Sequence, residues 1–355
     1  MLELIKELIR LRPVSENISA VNKAVKRVMS ELVSAGLFCK LESVGERLVL
    51  YSATTEGVPD VLFNAHLDVV NGEETVFEPY IQNGRLFGRG SADCLGNAVL
   101  LVDLLKKCKD SAAIGVIFTS DEEIGGATTE AMIRRGYGAK KLVVVLDGGN
   151  FGSIVTAQKG SAVIRLTAKG IAGHSAYPWM YDNAIDKIVK AYGKIRERWT
   201  EHAGDGWQES MVPCIISGGT ATNKVPGNAE LKLNLRYIEP GILPQRMKEI
   251  EEMTGLQTEL ISNCDVLVSK QDAPALQLLK KCVEQETGQE CLFAMMCGAT
   301  DARFFAELGI PVAIMNSAGA GGHGANESVR LESLGKLENI LFCAVNTLME
   351  KDKIS

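Results

Sequence analysis

VLFNAHLDVV, residues 61–70, opens with five apolar or small residues that run straight into a histidine and, two positions later, an aspartate. A short apolar run without alternation reads as a strand buried on both faces, the habit of parallel sheets. Three further runs repeat the arrangement: IGVIFT precedes the acids of TSDEEIGG, KLVVVL precedes Asp147, and PVAIM leads into the loop GGHGANE that carries His323. Between them lie helical stretches such as NAVLLVDLLKKCK and TTEAMIRRG. This β/α alternation predicts an α/β fold, a mostly parallel open sheet with helices on both faces. Such sheets gather ligands beyond the carboxyl ends of their strands. His66, Asp93, Glu122, Glu123, Asp147 and His323 are thereby placed where one site would form.

The pattern breaks near residue 160. TAQKGSAVIRLTAKGIAGHSAYP alternates as an antiparallel strand does, a helical pattern runs from about Asn183 to Thr200, and VPCIISGG and AELKLNLRYIEP read as further strands. The α/β pattern resumes after about residue 270 with PALQLLKKCVEQETG and PVAIM. The expected organisation is a catalytic domain over 1–160 and 270–355, interrupted by an inserted α+β lid or dimerisation domain over 161–269. A chain of 355 residues is long enough for two cores. No internal repeat or low-complexity tract is evident.

Composition excludes several classes. The net charge of −6 comes without a basic stripe or aromatic-basic interleaving, so nucleic acid is not an expected partner. No run approaches the roughly 20 apolar residues needed to span a bilayer, and MLELIKELIRLRP mixes charges into its apolar positions, unlike a signal peptide. Nine cysteines without a close CxxC pair fit a reducing cytoplasm. The glycine clusters GGTAT and AGAGGHGAN lack the strand, lysine and helix of a phosphate-binding loop and read as turns.

Two histidines framing several acids form a donor set for two divalent cations and a catalytic carboxylate. Taken one at a time, each residue has a plainer reading: His66 as a polar loop residue, Asp147 as a helix cap, and Glu122 with Glu123 as a solvated turn. The constellation is what argues for a site. Its motif blocks, in this order and approximate spacing, resemble the M20 family of co-catalytic metallopeptidases and N-acyl amino acid deacylases over nearly the whole chain. Within that family GHSAYP with DNAI, GGTATNKVP, LNLRY and GATDARFFAELG are most similar to succinyl-diaminopimelate desuccinylase-like members.

The resemblance implies roles. Two dications about 3.5–4 Å apart need an anion between them, and Asp93 is the implied bridge. His66 and Asp147 would complete one shell, Glu123 and His323 the other. Glu122 is the implied general base, taking a proton from water and returning it to the leaving nitrogen. Asp68, two residues after His66 in extended chain, is expected to accept the imidazole's other N–H and fix its tautomer. Adjacent residues point apart, so Glu123 can meet metal while Glu122 faces the water. From the inserted domain, His174 is implied as the oxyanion-stabilising histidine of a neighbouring site, with Asn223 and Arg236 on the substrate's polar end. Gly298, Thr300 and Arg303 fall on a substrate-facing turn without individual roles. His202 matches no block and reads as a solvated helix-end residue.

The implied activity is hydrolysis of an N-acyl or peptide bond beside a free carboxylate, by a homodimer acting on a small peptide or N-acyl amino acid. Mixed nitrogen and oxygen donors suit zinc best, with cobalt or manganese also compatible. Two departures bear on this. Cys94 follows the bridging aspartate where relatives commonly carry lysine, and reads as a buried filler. Position 147 is Asp, as in aminopeptidase-like members, where many deacylases have Glu, so a dipeptidase or aminopeptidase is the alternative. A non-catalytic binding relative is the alternative of another class, and the intact Glu122 argues against it.

Overall fold

Apolar side chains on both faces let a strand pair only inside a sheet covered on both sides, and Val61–His66 is buried at every residue. The computed structural model describes residues 1–199 and 206–350, so His202 lies outside the described residues. Val61–His66 pairs in parallel with Ile114–Thr119 on one side and Leu142–Val145 on the other. Val312–Ile314 adds in parallel to Leu142–Val145. The four runs singled out in the sequence are therefore four consecutive parallel strands, in the order 114–119, 61–66, 142–145, 312–314. Antiparallel strands flank them: Arg47–Ala53 and Phe38–Val44 beyond 114–119, and Ile154–Gln158 beyond 312–314. The expected fold class holds.

The sheet's central helix, Leu95–Cys108, is buried almost all round, with Ala98, Val99, Leu101, Val102 and Leu105 fully inside. Its apolar surface is continuous rather than striped, as expected of a helix enclosed by other layers. Burying that many branched side chains, each worth about 1.5–3 kcal/mol, fixes the helix and hence the loop before it. The loop doubles back tightly: Gly96 N–H bonds the Gly90 carbonyl at 3.3 Å, and a Cβ at Gly96 would collide with the Ser91 carbonyl. Asp93 sits in this fold-back, and the Asp93–Cys94 peptide bond is cis.

The chain divides into two compact units. One comprises residues 1–157, 268–295 and 300–355; the other comprises 158–267 and 296–299. The second unit has its own four-stranded antiparallel sheet, in the order 210–218, 228–237, 160–169, 257–264. Asn228–Tyr237 alternates buried Ala229, Leu231, Leu233, Leu235 and Tyr237 with partly exposed polar residues, so one face is core and the other is not. The amphipathic helix Ala184–Arg198 covers the apolar face with Ala184, Ile188, Ala191 and Ile195, and Asn183 caps it by accepting the Ile185 N–H. Among the described residues no helix is long and apolar enough to cross a membrane.

Candidate metal centre

The parallel strands deliver the donors. His66 is the last residue of its strand, Asp147 lies two residues past Leu142–Val145, and Glu122 and Glu123 lie just past Ile114–Thr119. His66 is 1 % exposed, and its Nε2 lies 3.0 Å from Asp93 Oδ1 and 3.7 Å from Asp147 Oδ1. His323 Nε2 lies 3.2 Å from Asp93 Oδ2 and 3.1 Å from Glu123 Oε2. The two oxygens of Asp93 thus face one histidine each. Donor atoms of His66, Asp93 and Glu123 all lie within 4.8 Å of one another, as do those of His66, Glu122 and Asp147. His323 reaches the cluster from a left-handed backbone (φ 62°) between two glycines, a conformation uncommon for a residue with a Cβ.

Charge shows what the cluster lacks. Burial pushes the Glu122 carboxyl up to about 10, with Asp147 adding to it, and pushes Glu123 up to about 7. Asp147 is also raised by burial. Asp93 goes the other way: burial opposes its ionisation, but hydrogen bonds from His323 and His66 hold it well below the usual carboxylate range. Hydrogen bonding to Asp93 raises His323 to about 9. Carboxylates so crowded and dry call for cations. Among the described residues, Glu123 Oε1 is buried without a hydrogen-bond partner. The donor set, histidine nitrogens and carboxylate oxygens converging in pairs, fits two divalent ions.

The supports differ in detail from the sequence expectation. His66 Nδ1 lies 2.9 Å from the main-chain oxygen of Asp68 and 3.5 Å from its carboxylate, so the backbone is the closer partner fixing the ring. The Asp68 carboxylate instead accepts the Ser15 hydroxyl at 2.7 Å and the backbone N–H groups of Glu122 and Glu123 at 3.2 and 3.3 Å. Glu122–Ile124 is a single 3-10 turn, not extended chain. The two glutamates diverge because successive residues of such a turn are about 120° apart.

Several residues were missed in the sequence. Glu327, 2 % exposed, pairs with Arg89 Nη1 at 2.6 Å and accepts the backbone N–H groups of Ala92 and Asp93 at 3.1 Å each. Arg89 Nη2 donates to the His323 carbonyl at 2.9 Å. One buried ion pair thereby ties the Asp93 loop to the His323 loop. Cys94, fully buried, places its thiol 2.9 Å from the Leu146 carbonyl, which Asn97 Nδ2 also meets at 3.0 Å. The filler reading of Cys94 is thus joined by a contact to the residue before Asp147. A recess of about 430 Å³ opens beside Asp93, lined by Asn150, Phe151, Asn316 and Ser317 among others.

In the second unit, His174 lies on a two-residue strand paired with Lys224–Val225. Its exposed ring accepts the Ala176 N–H at Nδ1, and Ser175 N–H bonds the Asn223 carbonyl at 3.1 Å, so His174 and Asn223 share one local structure. Arg236 lies on the polar face of Asn228–Tyr237, where its Nε donates to Asn234 Oδ1. Gly298 is exposed, whereas Thr300 and Arg303 are buried.

With this geometry in place, similarity gives it a context. The sequence pattern of peptidase family M20/M25/M40 matches residues 62–347. A succinyl-diaminopimelate desuccinylase of Hahella chejuensis is 28 % identical, over 79 % of this chain and 80 % of its own. The aminopeptidase PepT of Bacillus cereus has a similar fold, with a TM-score of 0.79 at 19 % identity and 97 % coverage of both chains. So does a tripeptidase of Staphylococcus aureus, with a TM-score of 0.80 at 18 % identity over 98 % of this chain and 97 % of its own.

Proposed function

The chain belongs to peptidase family M20/M25/M40, and from that premise we propose that this metal-dependent amide hydrolase cleaves an N-acyl or small-peptide bond next to a free carboxylate. The observation that carries the reading is Asp93, whose two carboxylate oxygens face His66 and His323 separately. His66, Asp147 and Asp93 would hold one cation, and Glu123, His323 and Asp93 the other. Zinc suits these donors best, with cobalt and manganese as further candidates. When bound, such ions polarise a carbonyl and acidify water.

The remaining work falls to side chains of the chain itself. Glu122 takes the proton from the attacking water and passes it to the leaving nitrogen. Asp68 sets the His66 ring through its carbonyl and the Glu122–Glu123 turn through its carboxylate. His174 stabilises the oxyanion of a neighbouring active site, and Asn223 and Arg236 bind the substrate's polar end. The proposed protein is a homodimer of the cytoplasm, in keeping with nine free cysteines.

Asp147 supports a second reading, a dipeptidase or aminopeptidase of the same family. A panel of N-succinyl-diaminopimelate, N-acetyl amino acids and dipeptides separates the two by rank. The mechanism itself is tested by Glu122→Gln, which should keep metal content and substrate binding while hydrolysis falls at least about a hundredfold. Unchanged turnover would remove the mechanism.

A further inference from the structure

The turn bearing Glu122 and Glu123 is gripped from two sides, and one grip, Asp68, also holds the donor His66. The other comes from GATDARFF. Asp301, 1 % exposed, accepts the hydroxyl of Thr119 at 3.2 Å and that of Thr129. Thr119 ends the strand before the turn, and Thr129 lies in the first turn of the helix after it. One carboxylate oxygen therefore ties both ends of the loop. Its apex is held by Arg303, whose Nη2 donates to the Gly125 carbonyl at 2.9 Å while Nη1 donates to the Thr300 carbonyl at 2.8 Å.

Packing closes the grip. Gly126 has a left-handed backbone (φ 67°), and a Cβ there would collide with Asp301 Oδ1 and come 2.8 Å from Phe304 Cε2. The loop glycine is thus demanded by contact with this segment as well as by its own conformation. Arg303 is 7 % exposed and lies 4.5 Å over the Phe304 ring. Both terminal nitrogens of the guanidinium are thus engaged by main-chain carbonyls and its face by an aromatic ring.

We propose that Asp301 and Arg303 are positioning residues that hold the Glu122–Glu123 turn in its catalytic setting without touching the substrate. This rests on the assignment of Glu122 as base and Glu123 as ligand. The two carbonyls are met by separate nitrogens of a rigid planar fork, a spacing that the single nitrogen of an ammonium does not reproduce, so lysine is a poor substitute. Displacing a reacting group by about 1 Å costs on the order of a hundredfold in rate.

The test compares the metal-loaded wild type with Arg303→Lys and with Thr129→Val, which removes one tie to Asp301 at nearly constant volume. Four quantities are read: kcat and KM on the panel substrate turned over fastest, bound metal per chain, and amide hydrogen exchange over residues 119–130. For Arg303→Lys we expect kcat lower by about 10–100-fold with KM within about twofold. Exchange should quicken over 119–130 and stay unchanged over 142–145. Thr129→Val should show the same pattern, more weakly. A raised KM with kcat and exchange unchanged would make Arg303 a substrate contact and overturn the proposal, as would wild-type behaviour in both variants. Loss of fold in Arg303→Lys leaves the decision to Thr129→Val. Full turnover in Glu122→Gln would refute the base assignment, while the exchange data still judge the grip by themselves.

Discussion

Glu327→Gln probes the buried pair that joins the Asp93 and His323 loops. The glutamine keeps an acceptor oxygen for the Ala92 and Asp93 N–H groups but turns an NH2 towards Arg89, itself only 2 % exposed. Breaking a buried ion pair from one side costs about 3–5 kcal/mol, because the remaining charge is stranded. The two backbone bonds lose a charged acceptor and weaken by about 1 kcal/mol each. Part of this loss falls on overall stability and part on the two donor loops, where removal of such a support typically weakens metal binding about 10–100-fold. The assay is competition of the folded protein against a chelator of known affinity, alongside thermal melting with and without metal. The double variant Arg89→Met with Glu327→Leu sharpens the test: it removes both charges and should regain much of the stability. It should not regain metal affinity, since leucine offers the Asp93 N–H no acceptor. Wild-type affinity in both variants would refute the claim that Glu327 sets the Asp93 loop.

Metal binding should release protons at neutral pH. In the metal-free chain hydrogen bonding to Asp93 raises His323 to about 9 and burial raises Glu123 to about 7, so at pH 7 His323 is protonated and Glu123 about half so, and a cation must displace those protons. Affinity therefore rises with pH up to about 9, and titration calorimetry in buffers of different ionisation enthalpy gives the proton count; zero protons at pH 7 would contradict it. Arg236→Ala should raise KM chiefly for carboxylate-bearing substrates, and an equal effect on neutral analogues would count against its role. Cys94→Ser keeps a donor to the Leu146 carbonyl and should hold metal within about threefold of wild type, whereas Cys94→Val, which cannot donate, should bind it about tenfold more weakly. Equal affinities in the two would show that the thiol only fills space.

What could be read from the chain followed the kind of signal each feature leaves. Strands buried on both faces show as uninterrupted apolar runs, so 61–66, 114–119, 142–145 and 312–314 were legible, and with them the ends that carry His66, Glu122, Glu123, Asp147 and His323. The 3-10 turn at Glu122–Ile124 left no such signal. Its shape is imposed by Asp68, 54 residues earlier, accepting the Glu122 N–H, and no local pattern encodes a partner that distant. Glu327 was hidden for a similar reason: an acid in a glycine-rich loop reads as solvated until Arg89 is found against it. Arg303 was expected only on a substrate-facing turn without a role of its own, because its partners are main-chain carbonyls that a sequence cannot display.

The same contrast explains how the site can exist at all. Crowding Asp93, Glu122, Glu123 and Asp147 together is unfavourable by itself, as the raised Glu122, Glu123 and Asp147 show. The supports that hold them are neutral or self-compensating: Ser15 on Asp68, Arg89 with Glu327, hydroxyls on Asp301, and carbonyls for Arg303. None of these cancels the donors' charge. The cluster's electrostatic demand is thereby left for divalent ions to meet, and a scaffold that neutralised its own carboxylates would have bound them less well.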